Sequence, residues 1–180
     1  KINDNVIICD FGIGLFEKKI LESLENNKSK KYLNVQSNSI NLGYNLFTKY
    51  KNYNYLSLDE REWKLGFANN ENMNLLNFIK KSKNKKNLSC SLTRGKNGSE
   101  FFLNNQKFTS PVFISRTVDT TGCGDAYFAL TSLMIKAGLK PALVPFTGNI
   151  YAGMHSQYFG NRIITDKTNF LKYIKSILKR

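Results

Sequence analysis

Histidine occurs once, and cysteine and proline three times each, in 180 residues. Cys9, Cys90 and Cys123 are widely separated and form no Cys-x-x-Cys pair, so with one histidine they make no zinc ligand set. An odd, scattered set of thiols also excludes a disulfide framework and fits a reducing cytoplasm. No apolar run reaches the length of a membrane-spanning helix, and no charged-then-apolar leader opens the chain. The phosphate-loop pattern Gly-x-x-x-x-Gly-Lys-Ser/Thr is missing, which excludes a P-loop enzyme. Lys1 is not an initiator methionine, so the chain is expected to begin inside a longer product.

What is present suits one folded piece over residues 1–180. Hydrophobic residues make up 41% and aromatics 13%, enough to exclude wholesale disorder and to bury a core. The net charge of +14 raises the question of a polyanion partner. The lysines, however, are scattered through Asn-rich stretches, as in Lys28-Ser29-Lys30-Lys31 and Lys80-Lys81-Ser82-Lys83. No aromatics interleave with the second cluster as they do in single-strand binders. The charge reads as solvated loop surface, and neither a specific nucleic-acid site nor a membrane partner is expected.

The chain is organised around Asp119-Thr120-Thr121-Gly122-Cys123-Gly124-Asp125, followed by the apolar run from Ala126 to Ala137. Glycines let backbone N–H groups approach a ligand, and a helix start adds unpaired donors and a positive dipole end. That junction favours an anion such as phosphate. Asp125 has two readings. It caps the helix it begins, or it is a base taking the proton of a hydroxyl that attacks phosphate.

In chain order, Asn5 to Asp10 reads as a buried parallel strand opening into a loop, with a helix from Lys18 to Leu24 behind it. Tyr32 to Gln36 and Tyr55 to Leu58 are further strands, so the elements alternate as βαβ units and predict a parallel sheet. Asp10-Phe11-Gly12 is not a protein-kinase element, because no His-Arg-Asp loop accompanies it. Asp59 and Glu62 share one face if a helix starts there, and acids at a helix start are also ordinary. Trp63 is a packing residue. Met73 to Lys81 is amphipathic and Lys80 to Asn87 a loop. Leu88 to Thr93 is a strand, Phe101-Phe102-Leu103 and Lys107-Phe108-Thr109 form a hairpin around Asn104-Asn105, and Pro111 to Ser115 is an edge strand. Gly138 and Pro141 separate the helix after Asp125 from one spanning about Val144 to Tyr158, where Asn149, Ala152 and Gly153 are small enough to admit a flat base. Phe170, Leu171, Ile174, Ile177 and Leu178 stripe a closing helix. His155 is read as structural.

The Asp119–Asp125 stretch closely resembles the Asp-Thr-x-Gly-Ala-Gly-Asp signature of the ribokinase-like (PfkB) carbohydrate kinases, with Cys123 in place of Ala. Further segments resemble the same family in order and spacing. Asp59-x-x-Glu62 is similar to its Asn-x-x-Glu magnesium and phosphate motif. Thr93-Arg94-Gly95-x-x-Gly98 is similar to its nucleotide loop, and Asn149 with Ala152 to its adenine-pocket residues. Asp10-Phe11-Gly12-x-Gly14 resembles heptose-kinase-like members, against the alternative of a simple turn residue.

The resemblance implies a Rossmann-like three-layer α/β/α sandwich of the ribokinase type. It implies ATP-dependent phosphorylation of a sugar or sugar-phosphate hydroxyl, with Asp125 as base and Gly122, Cys123 and Gly124 forming the anion hole. ATP and Mg²⁺ are the implied cofactors, with Glu62 and Asp59 on the magnesium side and a K⁺-like monovalent cation near Asp119 and Thr121. Thr93, Gly95, Gly98, Asn149 and Ala152 are the implied nucleotide contacts. Family members also carry an N-terminal region with much of the sugar pocket and a β lid through which they dimerise. This chain is expected to begin after that region, to bind nucleotide weakly and to transfer phosphate inefficiently by itself. The alternative reading is a non-catalytic nucleotide-binding piece or subunit.

Overall fold

The computed structural model describes residues 5–67, 75–81, 88–160 and 165–179. Six strands form one sheet in sequential order: β1 (Asn5–Asp10), β2 (Lys30–Val35), β3 (Tyr55–Asp59), β4 (Ser89–Thr93), β5 (Ser99–Leu103) and β6 (Gln106–Ser110). The helices are α1 (Lys18–Asn26), α2 (Glu60–Gly66), α3 (Leu75–Lys81), α4 (Cys123–Lys136), α5 (Leu143–His155) and α6 (Lys167–Leu178). β1 runs parallel to β2 with Ile8 opposite Leu33, and β2 parallel to β3 with Leu33 opposite Leu56. The sheet is mixed, because β5 and β6 are joined by the two-residue turn Asn104-Asn105. Both residues have positive φ, +49° and +64°, as a tight hairpin turn requires.

The chain divides into two compact units, Lys1–Leu92 with Phe102–Lys107, and Thr93–Phe101 with Phe108–Arg180. In the first, the apolar runs of β2 and β3 are buried on both faces, while β1, expected to be buried, lies at the sheet edge with Ile7 exposed. Leu33, Val35, Leu56 and Leu58 form the sheet side of the core. An aromatic cluster covers them. Trp63 stacks on Phe47 with ring centroids 5.8 Å apart and meets Phe67 at a tilt, 4.6 Å away, which gives Trp63 the packing role expected of it. The described part of the third helix begins at Leu75. Met73 and the basic stretch 82–87 lie outside the described residues.

In the second unit, α4 and α5 pack through Tyr127, Thr131 and Gly148. A Cβ on Gly148 would stand 2.5 Å from the Tyr127 ring, so glycine sets the helix separation. Tyr151 meets Phe170 of α6 edge to face at 5.5 Å. Of the stripe expected on the closing helix, Phe170 is buried, while Leu171 and Leu178 are exposed.

Two expectations need correction. Residues 111–115 form no strand, because the hairpin already supplies the last strand through β6 and Pro111 has no N–H for a ladder. The helix expected from Ala126 starts at Cys123, which brings Gly124 and Asp125 inside its first turn.

Candidate functional site

The chain enters α4 through a loop whose shape is set by its own polar groups. Asp119 Oδ1 accepts the amide of Thr121 at 2.9 Å, an Asx turn, and Asp119 Oδ2 accepts the amide of Gly160 at 2.9 Å. The Ser156 carbonyl accepts from both Val118 and Asp119, at 2.8 and 3.1 Å. Gly122 is the N-cap of α4, with φ +77°, a conformation that costs any other L-residue strain. The Cys123 amide closes onto the Thr120 carbonyl at 3.1 Å. Among the described residues, the amides of Gly122 and Gly124 meet no acceptor. Among the described residues, nothing lies within 4 Å of a Cβ built on Gly124, so the Cβ side of this residue is open.

The capping position therefore belongs to Gly122, not Asp125. Asp125 stands three residues on, half-buried, in the same first turn as the two open amides. That turn combines N–H donors and the positive end of a 14-residue helix with a carboxylate. It can hold an anion and accept a proton beside it.

The loop's titration behaviour follows from these bonds. The amides of Thr121 and Gly160 hold the Asp119 carboxyl below its ordinary value. Burial, and then the Asp119 charge, push the Cys123 thiol up. A thiol raised in this way is a neutral donor, here toward the Asp119 carbonyl at 3.9 Å, and not a nucleophile.

The expected nucleotide loop is a single 3₁₀ turn, Gly95–Asn97, following Thr93 at the end of β4. Arg94 N–H donates to the Gly98 carbonyl at 2.8 Å, and Arg94 pairs with Glu100 at 3.3 Å. Gly98 has φ +83°, and a Cβ there would collide with the Ser110 carbonyl. That same carbonyl accepts Nδ2 of buried Asn149 at 2.7 Å, and the Pro111 carbonyl accepts it at 3.1 Å. Gly98 and Asn149 are thus brought together at Ser110. The Asn149 amide holds the chain leaving β6, at the carbonyls a longer strand would have used. Gly153 packs its bare Cα against Ile114, whose side chain a Cβ there would meet at 2.5 Å. Ala152 is half-buried on the same helix.

In the other unit, Asp59 and Glu62 form a reciprocal capping box at the start of α2. Asp59 Oδ1 accepts the Glu62 amide at 2.7 Å, and Glu62 Oε2 accepts the Asp59 amide at 2.8 Å. Glu62 Oε1 also accepts the Ser37 amide at 3.2 Å, which ties the loop after β2 to α2. Asp10 is buried at the end of β1. It accepts from Gly12 N–H at 2.9 Å and the Tyr50 hydroxyl at 2.8 Å, and pairs with Lys49. The Gly12 bond gives Asp10 the turn geometry that one of its two readings expects.

Sequence reasoning misses Gly160, Ser156 and His155 as residues of this loop's setting. Gly160 left no signal, because its contribution is one backbone amide 41 positions from Asp119. A cavity of about 520 Å³, lined by Met154, Tyr158, Asp166, Asn169, Lys172 and Tyr173, lies between α5 and α6 and holds none of the expected site residues.

No protein-family model matches the chain, and no curated protein matches it. Solved structures do. The ribokinase of Thermotoga maritima superposes with TM-score 0.67 at 18% identity over 94% of this chain and 56% of its own. The apo form of a putative ribokinase II from E. coli gives TM-score 0.74 at 13% identity over 96% and 59%. A putative ribokinase II from E. coli in complex with ATP and Mg²⁺ gives 0.58 at 16% over 71% and 40%. The Burkholderia thailandensis nucleoside kinase in complex with inosine gives 0.59 at 16% over 71% and 42%. The chain thus spans 56% and 59% of the first two of these. At such identities the likeness establishes the fold, and that fold is α/β of the ribokinase type.

Proposed function

We propose that this chain carries the nucleotide-binding and catalytic part of a kinase that phosphorylates a sugar or sugar phosphate, heptoses included, from MgATP. The observation that carries the reading is the first turn of α4. Two glycine amides that meet no acceptor among the described residues, and the open Cβ side of Gly124, stand beside the half-buried carboxylate of Asp125. The donors fit a phosphoryl group, which needs N–H bonds to its oxygens and no side chain in the way.

In this reading the Gly122 and Gly124 amides receive the charge that develops on the transferring phosphoryl oxygens. The acceptor hydroxyl oxygen forms the new bond to the terminal phosphorus, the bridging P–O bond breaks, and ADP leaves. Asp125 takes the hydroxyl proton. Thr93, Gly95 and Gly98 border the nucleotide, with Asn149 and Ala152 on the base side. Bound Mg²⁺ would neutralise phosphate charge, and Glu62 with Asp59 supplies carboxylate oxygens that suit it, directly or through water. The solved ribokinase II with ATP and Mg²⁺ supports this cofactor pair.

One observation favours the second reading, a piece that binds nucleotide without transferring phosphate. Asn149 has already committed its amide nitrogen to two backbone carbonyls, which leaves less of it for adenine. A coupled ADP-release assay against hexoses, heptoses, their phosphates and nucleosides separates the two. Acceptor-dependent release supports the kinase, and MgATP binding without release under any acceptor supports the second reading.

A further inference from the structure

We propose that His155 is a positioning residue of the loop 118–122, holding it as a bound monovalent cation otherwise would. The proposal rests on the reading of Gly122 and Gly124 as an anion site. His155 is the last residue of α5, and its Nε2 lies 3.1 Å from the Thr121 carbonyl. A carbonyl only accepts, so Nε2 carries the hydrogen. The neutral tautomer and the charged ring both donate there, and the bond survives either state. The next residue, Ser156, takes the amides of Val118 and Asp119, and Gly160 closes on Asp119 Oδ2. Three residues from the end of α5 and the turn beyond it therefore fix the loop immediately before Gly122.

The resemblance implies a monovalent cation near Asp119 and Thr121, and the described oxygens there are engaged by the chain's own N–H groups. A cation needs oxygen lone pairs turned toward it. Both oxygens of Asp119 already accept backbone N–H groups, and the Thr121 carbonyl faces an imidazole N–H. A cation seated on that carbonyl would stand beside a hydrogen of the same charge sign. The loop is stiffened by the chain itself, and the anion site is expected not to need K⁺.

The test is amide hydrogen exchange of residues 120–124, in K⁺ and in tetramethylammonium at equal ionic strength, with α6 amides as a control for global stability. Wild type should exchange equally in both salts. His155→Ala should exchange about three- to tenfold faster in this loop alone, the effect of one lost hydrogen bond. His155→Gln, which keeps a side-chain N–H, should recover most of the protection. As the sole histidine, His155 also gives an unambiguous ring N–H signal, expected to be protected from solvent exchange. Slowing of wild-type loop exchange by K⁺, or unchanged loop exchange in His155→Ala, would overturn the proposal. If His155→Ala does not fold, the wild-type salt comparison and the ring N–H signal decide. A chain that binds no MgATP in either salt would sink the kinase reading while leaving these exchange results to judge His155.

Discussion

Gly160 donates its amide to Asp119 Oδ2 at 2.9 Å across 41 positions of sequence, and the loop before α4 takes its shape from that bond. Thr121 occupies the other oxygen of the same carboxylate at 2.9 Å. Because these two amides favour the charged form, the Asp119 pKa lies below its ordinary value of 3.8. A depressed folded-state pKa gives stabilisation that is complete above the unfolded value and lost as pH falls through the folded one. The Gly160 amide resonance should therefore move only below about the ordinary carboxylate range. A transition centred above that range would contradict the assignment.

The two glycines of the motif should respond differently to substitution. Gly122→Ala forces a Cβ into a left-handed conformation and should lower unfolding stability by about 1–2 kcal/mol. Gly124→Ala meets nothing within 4 Å and should leave stability nearly unchanged while weakening MgATP binding. Thermal melts and nucleotide titrations of both variants check this. Equal binding by Gly124→Ala and wild type would remove Gly124 from the site. Cys123→Ala should be nearly silent, since its raised thiol pKa leaves no thiolate to lose.

Asp125→Asn keeps the shape of the first turn and removes the base. Acceptor-dependent turnover should fall by about 10²–10⁴-fold with MgATP affinity retained. Turnover near wild type would return Asp125 to a purely structural place in the helix.

Much of this arrangement was legible in the sequence, and what was not has a physical reason. The parallel strands showed as apolar runs, and Gly-x-Gly-Asp marked the helix start to within three residues, because both signals are local. The Asp59–Glu62 pair was legible as residue types but not in role. A capping box and a magnesium site use the same acids at the same spacing. Asn149 marked a special place on α5, yet its partners Ser110 and Pro111 are backbone carbonyls, which leave no trace in side-chain identity. The same holds for Gly160.

Glu62→Gln separates the two roles of that acid pair. Its one remaining carbonyl oxygen can keep the Asp59 amide but not the Ser37 amide as well, so α2 should persist with a stability loss of about 1–3 kcal/mol. The lost charge should raise the Mg²⁺ concentration needed for catalysis. A variant with unchanged Mg²⁺ dependence and a shifted acceptor KM would move the pair to the acceptor side.

The central claim is that the first turn of α4 receives nucleotide phosphate, and its most direct measurement is a backbone amide NMR titration with MgATP. The account predicts that Gly122 and Gly124 shift most, together and saturably, with Asp125 beside them. Large saturable shifts confined to other amides, with Gly122 and Gly124 unmoved, would contradict it.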